Sequence, residues 1–527
     1  MFTRFLSSVA ALGLTAGMAA AEYKLTILHT NDIHSRIESI NKYDSTCNAE
    51  GEAEGKCFGG VARIKTMVDA RRAALEGHNV ILLDAGDPFQ GSLFYTTYKG
   101  AAEAEFMQAI GYDAMAVGNH EFDDGPPALR AFIDAVEFPV ISGNLDLSSS
   151  LDLKGHVGNH VVLEVGGEKI GIISALATDT VETSSPGPDV VFQDEIESLK
   201  ADVAALEAEG VTKIIALTHV GLPMDLKIAE AVPGIDVVVG GHSHTLLSNT
   251  SEKAAGSYPV MAGGVPVVQA YAYSKYLGEL EVSFDEAGNV TAASGEPILL
   301  DASVTPDAAI AARVAEMGAP IEEMKQRVVA ATAEAVEGAR EVCRTTECPM
   351  GNLVADAMLD RVKDQGISIA IQNGGGLRAS IDAGEVTMGE VLTVLPFQNT
   401  LSTFEASGEV VIAALENGVS QVEDGKGRFP QVAGLKYTFD LSVAPNEGRI
   451  SDVQVMEGGS WVAVDPAKTY GVVTNNYVRN GGDGYKMFQG DDKEAYDFGP
   501  DLADVLAEYL AAQGPYTPYT DGRIAQK

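Results

Sequence analysis

The chain has 527 residues, well above the ~100–200 of one domain, so at least two cores are expected and a small interaction module is excluded. It carries 36 Lys and Arg against 75 Asp and Glu, a formal net charge of -39, while 46% of its residues are apolar. The acidity is spread along the chain, so the sequence describes a folded globule without the basic surface that a nucleic-acid polymer demands. An anionic small molecule remains open as a ligand, provided the fold concentrates positive charge locally.

In chain order, Arg4, the apolar run over 5–20 and the small residues Ala19-Ala20-Ala21 make the three parts of a secretory signal peptide. It is expected to span 1–21, with cleavage after Ala21. A membrane anchor is the competing reading. The run is short and rich in Ala, Gly and Ser, and no later run is long enough to span a bilayer. A periplasmic or secreted protein without a membrane anchor is therefore expected. Cys47 and Cys57 lie ten residues apart in a polar loop, and Cys343 and Cys348 lie five apart. Each pair could close a small disulfide loop after export. Zinc binding is the alternative, disfavoured because neither pair has CxxC spacing or a close His.

Short apolar runs at 25–28, 80–83, 114–117, 140–142, 170–173, 214–217, 237–239 and 265–268 read as strands, separated by turns and helical segments. The clearest helix is 192–210, with Ile196, Leu199, Val203 and Leu206 at helical spacing and Gly210 as a stop. This alternation predicts a layered α/β domain over 22–305. An Ala- and charge-rich stretch, 306–338, lacks strand signals and reads as a helical linker interrupted at Pro320. From 339 to 527 the pattern becomes α+β, with helices near 352–362, 388–395 and 502–513 and strands near 367–371, 401–405 and 471–475.

The first domain keeps its histidines in a telling place. Of nine in the chain, five (His34, His120, His219, His242 and His244) follow predicted strands, each beside Asp, Asn or Gly. The segments are Asp32-Ile33-His34, Gly86-Asp87, Gly118-Asn119-His120-Glu121-Phe122-Asp123, His219, and Gly240-Gly241-His242-Ser243-His244. Ligands bind at the carboxyl ends of strands in α/β sheets. Asp32, His34, Asp87, Asn119, His219, His242 and His244 thus make seven candidate ligands on one rim, enough for two divalent ions. Imidazole and carboxylate donors without thiolate suit Zn, Mn or a similar ion.

These motifs resemble the calcineurin-like metallophosphoesterases, and their order is similar to that of the secreted 5′-nucleotidase family. The match includes Leu28-His29-Thr30-Asn31-Asp32-Ile33-His34-Ser35-Arg36, Gly59-Gly60-Val61-Ala62-Arg63 and the 118–123 run, and it extends over nearly the whole mature chain. The resemblance implies a metallophosphatase domain joined by a long helix to a substrate-specificity domain. It implies that Asp32, His34 and His244 hold one ion, that Asn119, His219 and His242 hold the other, and that Asp87 bridges them. It gives His120 the transition state or leaving group to stabilise, with Asp123 orienting it. His244 departs from the Gln or Asn often found there. Two such ions acidify a water for in-line attack on phosphorus.

In the second domain, Asn373-Gly374-Gly375-Gly376-Leu377-Arg378 follows an apolar run and reads as a Gly-rich loop able to approach a ligand closely and present Arg378. The resemblance implies that Phe397 and Tyr477 sandwich a nucleobase, that Asp483 reaches the ribose hydroxyls, and that Asn373 faces base or ribose. Arg344 and Arg378 match the family's phosphate- and ribose-side contacts. Tyr477 stands where Phe is usual, leaving a hydroxyl to admit a different base or a water. The Cys343–Cys348 run and the Cys47/Cys57 pair look closer to the ecto-5′-nucleotidase branch than to UDP-sugar hydrolases. The expectation is an exported dinuclear-metal 5′-nucleotidase acting on nucleoside 5′-monophosphates such as AMP, with hinge motion about 306–338. The rivals are UDP-sugars, NAD or 2′,3′-cyclic nucleotides as substrates, then a thiosulfohydrolase, then a non-catalytic nucleotide-binding protein.

Overall fold

The strand Tyr23–Thr30 is buried on both faces beyond its first two residues, the pattern of a parallel strand covered on each side. It pairs in parallel with Asn79–Asp84, which pairs in parallel with Ala114–Ala116, and that with Val140–Ile141. Antiparallel strands Tyr276–Phe284 and Val290–Gly295 extend the sheet on the other side. A second sheet carries Glu168–Leu176, Lys213–His219, Val237–Gly240 and Val265–Val268 in parallel, edged by antiparallel His160–Val165 and Val260–Ala262. This computed structural model describes residues 22–527 apart from 43, 45, 491–494 and 498. The expected signal peptide, 1–21, lies outside the described residues.

Alternation along the strands sorts side chains between layers. Leu25, Ile27, Ile81 and Leu83 meet Ile172, Ile215, Leu217 and Val239 in one core between the two sheets. The intervening Leu28 and Leu82 face the opposite way onto helix residues Ile64, Val68 and Phe106. On the second sheet Ile173, Ala216 and Val238 face Leu199, Val203 and Leu206. The result is helix, sheet, sheet, helix, with an apolar interior that leaves polar groups only at the strand ends. Register makes those ends flush, with Thr30 opposite Asp84, Leu176 opposite His219 and Gly240 opposite Thr218.

Two local expectations are revised. The helix expected from 192 begins at Glu195, where the Asp194 side chain accepts from the Glu197 N–H. Phe192 instead belongs to a short strand paired with Leu145–Asp146. The linker helix Ala308–Lys325 runs through Pro320 without interruption. Pro320 lies on the exposed side, where the carbonyl freed four residues earlier can meet water. The helix stops well before 338, and Val328–Thr332 is a strand paired antiparallel with Gly384–Thr387. Its β-branched residues gained a partner some fifty residues away, which no local pattern reveals.

The C-terminal part is built on a sheet ordered Leu401–Ser407, Thr469–Asn475, Ile367–Asn373, Pro430–Ala433. The helices Pro349–Arg361 and Leu502–Gln513 contribute Leu353, Val354 and Leu506 to the core on one face. On the other, Gly408–Gly418 packs Val411 and Leu415 near Ile369 and Phe404. Ile367–Asn373 and Thr469–Asn475 are parallel, so their carboxyl ends emerge together. Among the described residues no helix is long and apolar enough to cross a membrane.

Candidate metal centre and adjoining cavity

The first sheet delivers Asp32, His34, Asp87, Asn119 and His120 just beyond three adjacent strands, and the second delivers His219, His242 and His244. Asp32, His34 and His244 offer ligand atoms within 4.8 Å of one another, as do Asp87, His219 and His242. His34 Nε2 lies 2.9 Å from His244 Nε2, which lies 3.3 Å from Asp32 Oδ1. Asp87 Oδ2 sits between the groups, 3.0 Å from His219 Nε2 and 3.9 Å from His34 Nε2. Asn119 Oδ1 lies 2.9 Å from His242 Nδ1 and 3.2 Å from His219 Nε2. The seven residues singled out in the sequence thus form one cluster.

Holding them there takes unusual backbone. Asp32, His34, Asp87, His242 and His244 all have left-handed φ, from 47° to 74°, at roughly 1–3 kcal/mol each for a residue with a side chain. Main-chain bonds sustain this, with Asp32 N–H donating to Gly86 O, His34 N–H to Asp87 O and Tyr273 N–H to Asp32 O. Side chains next to the ligands add support. Asn31 donates to Asp32 Oδ2 at 2.7 Å, and His219 Nδ1 meets Ala85 O at 2.7 Å. The Glu121 carboxyl accepts from the N–H groups of Gly118, Asp87 and Phe89. Gly118 must be glycine, because an added Cβ would collide with Asp87. Asn31 and Glu121 lay inside the recognised motifs but had no stated role.

Imidazoles keep the buried carboxylates charged: against the effect of burial, His244 holds Asp32 below its ordinary value and His219 holds Asp87 well below it. Asp32 and Asp87 are fully buried, and among the described residues their ion pairs are with imidazoles alone. Asp87 Oδ2 receives no hydrogen bond. Burial disfavours a charged His219, yet the Asp87 and Asp32 charges outweigh it and push that imidazole up to about 10. Burial and the neighbouring His244 hold His34 well below its ordinary value, and burial with His219 lowers His242, leaving both neutral as ligands must be. Converging nitrogen and oxygen donors around buried carboxylates fit two borderline divalent ions, with Asp87 placed to bridge. The cysteines supply no alternative, since Cys47–Cys57 and Cys343–Cys348 are disulfides.

His120 stands beside this cluster, its Nδ1 2.6 Å from Asp123 Oδ2, while Asp123 Oδ1 accepts from the Ser184 hydroxyl at 2.7 Å. Burial opposes its charge, but Asp123 and Asp87 push it up to about 9. Its Nε2 is buried and makes no hydrogen bond. His120 also joins His34 and Asp87 in a third compact group, a closeness that sequence order does not disclose.

A cavity of about 770 Å³ runs from His244 into the C-terminal part and is lined by Arg344, Asn373, Arg378, Phe397, Tyr477 and Asp483. Asn373 and Tyr477 arrive at the carboxyl ends of the two parallel strands. Asn373 Nδ2 donates to Asp483 Oδ2 at 2.7 Å, and the Tyr477 hydroxyl donates to Asp483 Oδ1 at 3.2 Å. The hydroxyl left open to a base or water is thus engaged by Asp483. The Arg378 guanidinium lies 5.3 Å over the Phe397 ring. Arg344, inside its disulfide loop, is lowered by burial and by the Arg340 and Arg378 charges, so the two cavity arginines favour an anion between them. The Gly-rich loop meets the cavity at Gly375 and Gly376 and brings Arg378 to it, and its glycines also pack tightly. An added Cβ at Gly374 would collide with Cys343 O, and one at Gly375 with Gly427, so these glycines serve close backbone packing.

Arg36 and Tyr273 also line this cavity and were not singled out. Arg36 is buried with its guanidinium 4.9 Å over the Tyr273 ring, which stands 5.1 Å from the His244 ring. Arg36 lay in the opening motif, whereas nothing in the sequence marks Tyr273.

Residues 25–246 match the calcineurin-like phosphoesterase family, and residues 328–490 match the family described as 5′-nucleotidase, C-terminal domain. A human 5′-nucleotidase is 39% identical, over 98% of this chain and 93% of that protein. Among solved structures, a 5′-nucleotidase precursor from Thermus thermophilus is 40% identical with a TM-score of 0.60, covering 96% of this chain and 99% of that one. The NAD nucleotidase of Haemophilus influenzae is 28% identical with a TM-score of 0.79 at the same coverage.

Proposed function

Because the chain belongs to the 5′-nucleotidase family with a calcineurin-like phosphoesterase domain, it is a metal-dependent hydrolase of nucleotide monophosphates, and we propose how its residues divide that work. Asp32, His34 and His244 would hold one divalent ion and Asn119, His219 and His242 the other, with Asp87 lying between the two groups. Zn or Mn suits this donor set. When bound, the ions supply Lewis-acid stabilisation of the phosphoryl oxygens and an acidified water for in-line attack.

The chain's own residues do the rest. Phe397 and Tyr477 stack on the two faces of the base, each stacked base being worth ~1–3 kcal/mol. Asp483 and Asn373 receive the ribose and base edge, and Arg344 and Arg378 hold the phosphate side. His120, its tautomer set by Asp123 at 2.6 Å, directs Nε2–H at a phosphoryl oxygen or at the departing 5′-oxygen. Water adds to phosphorus, the 5′-oxygen leaves with a proton, and nucleoside and phosphate are the products. The first 21 residues act as an export signal, and two disulfides suit a periplasmic or secreted enzyme. We divide the chain into a catalytic part over 22–305, a linking helix Ala308–Lys325 and a C-terminal part that begins with the strand Val328–Thr332, ahead of the 339 expected from the sequence.

The observation that carries this reading is the single cavity joining His244 to Arg344, Arg378 and both aromatics. The test is phosphate release from AMP, ADP, UDP-glucose, NAD and 2′,3′-cyclic nucleotides after chelation and add-back of single metals. AMP hydrolysis restored by Zn or Mn is expected. Metal-dependent turnover of NAD or UDP-glucose without AMP would overturn the monophosphate assignment.

A further inference from the structure

Phe397 is followed by a residue that reaches back to the catalytic domain. Gln398, next to Phe397, accepts through Oε1 from the Thr46 backbone N–H at 2.7 Å. Asn476, next to Tyr477, lines the same cavity as Tyr273, whose N–H donates to Asp32 O at 2.7 Å. The Phe397 loop is therefore tied by a hydrogen bond to the half of the protein that carries the metal ligands, and the Tyr477 loop faces it across the cavity.

The Gln398 tie has features of a built contact. Gln398 has φ of 50°, a left-handed conformation that costs energy and persists only when neighbours hold it. Its partner is equally constrained. Thr46 pairs with Ile40, Cys47 N–H donates to Ser39 O, and Ile40 exchanges both main-chain bonds with Phe58. The Cys47–Cys57 disulfide joins the two sides of this loop, so the Thr46 N–H is presented from a cross-linked support.

We propose that Gln398 is a positioning residue: by docking on Thr46 of the Cys47–Cys57 loop, it holds Phe397 in place on the cavity wall and couples base capture to the contact between the two domains. This rests on the reading of Phe397 and Tyr477 as a base clamp. The disulfide loop, far from the metal ligands in chemistry, thereby becomes a determinant of affinity for nucleotides and leaves the phosphoryl chemistry alone. Parting the two domains at this loop must break the Thr46–Gln398 bond, so base binding is favoured where metals and aromatics face one substrate.

The test compares Gln398→Met, which removes the acceptor at similar size, with Gln398→Glu, which keeps an acceptor at the same reach. Steady-state kinetics are measured with AMP and with p-nitrophenyl phosphate, which has no base to stack. The Met variant should raise KM for AMP about 5-fold, the equivalent of one net hydrogen bond, with kcat within about twofold and p-nitrophenyl phosphate turnover unchanged. The Glu variant should keep the original KM. Cys47→Ser with Cys57→Ser should produce a similar KM rise that is not additive with Gln398→Met. If the disulfide-free protein does not fold, the Met and Glu pair decides alone. An unchanged KM in the Met variant, equal impairment of both Gln398 variants, additive effects, or a matching loss with p-nitrophenyl phosphate would overturn the proposal. Failure of the clamp reading is separable, since it shows as Phe397→Ala having no effect on AMP.

Discussion

Phe397→Ala removes one of the two faces offered to a base. Phe397 is half-buried in the absence of substrate, and the Arg378 guanidinium lies over its ring at 5.3 Å. The folded protein therefore loses little packing, and the melting temperature should move only slightly. The bound state loses more. A stacked base is worth ~1–3 kcal/mol, which corresponds to an approximately 5- to 150-fold fall in kcat/KM for AMP. Arg378 also loses the ring beneath it, a cation–π contact of ~0.5–1 kcal/mol at such exposure, so the upper part of that range is expected. The assay is phosphate release under metal-saturated conditions, with p-nitrophenyl phosphate as the baseless comparison and a thermal melt to check folding. A kcat/KM for AMP within twofold of the unmodified enzyme, or equal losses on both substrates, would refute the stacking role.

His120→Asn removes the Nε2 donor while leaving the seven ligands in place, so kcat for AMP should fall by about 10²- to 10⁴-fold with metal content unchanged by elemental analysis; retained turnover would remove His120 from the chemistry. Chelation should lower thermal stability as well as abolish activity, because an ion that binds the folded protein and not the unfolded chain stabilises the fold. At free metal about 1,000-fold above Kd the stabilisation is ~4 kcal/mol, and a melt insensitive to chelator and added metal would contradict a resident dinuclear centre. Asp236 offers a pH test remote from the site, since burial raises its carboxyl from 3.8 to about 7. The folded state holds this proton more tightly than the unfolded chain, so its contribution to stability is fullest below pH 4 and lost as pH rises through 7. Asp236→Asn can still accept from the Ile214 N–H and should flatten denaturation midpoints between pH 4 and 8; an unchanged pH profile would refute this.

Much of the metal centre was legible because its signal is local. A β-type apolar run followed by Asp-x-His or Gly-Asn-His states both the strand and the donor at its end, and the α/β rule brings such ends to one rim. The two strands that end at Asn373 and Asn475 were legible as apolar runs, while the aromatic and acidic residues beside them came only through the family resemblance. The local reading failed at Val328–Thr332, whose partner Gly384–Thr387 lies outside any local window. At Gly374 and Gly375 it signalled close approach but not that the backbone of Cys343 and Gly427 is among what approaches.

The pairing of His120 with Asp123 entered through the family resemblance; by itself, the sequence determined the ligand types, the alternation that builds covered sheets, and the order of the two domains. These follow from side-chain chemistry and hydrophobic period, which neighbouring residues carry between them. Only the tertiary structure decided that five ligands adopt left-handed backbone, that Glu121 gathers three N–H groups behind Asp87, and that Gln398 ties the Phe397 loop to the catalytic domain. Each of those depends on groups far apart in the chain meeting at about 3 Å, the distance at which hydrogen bonds form, and such meetings leave no trace in residue order. The same holds for the net charge of -39. It excluded a polyanion partner, while the location of Arg36, Arg344 and Arg378 on one cavity shows how an acidic protein can still receive an anionic substrate, through a local field that overall composition averages away.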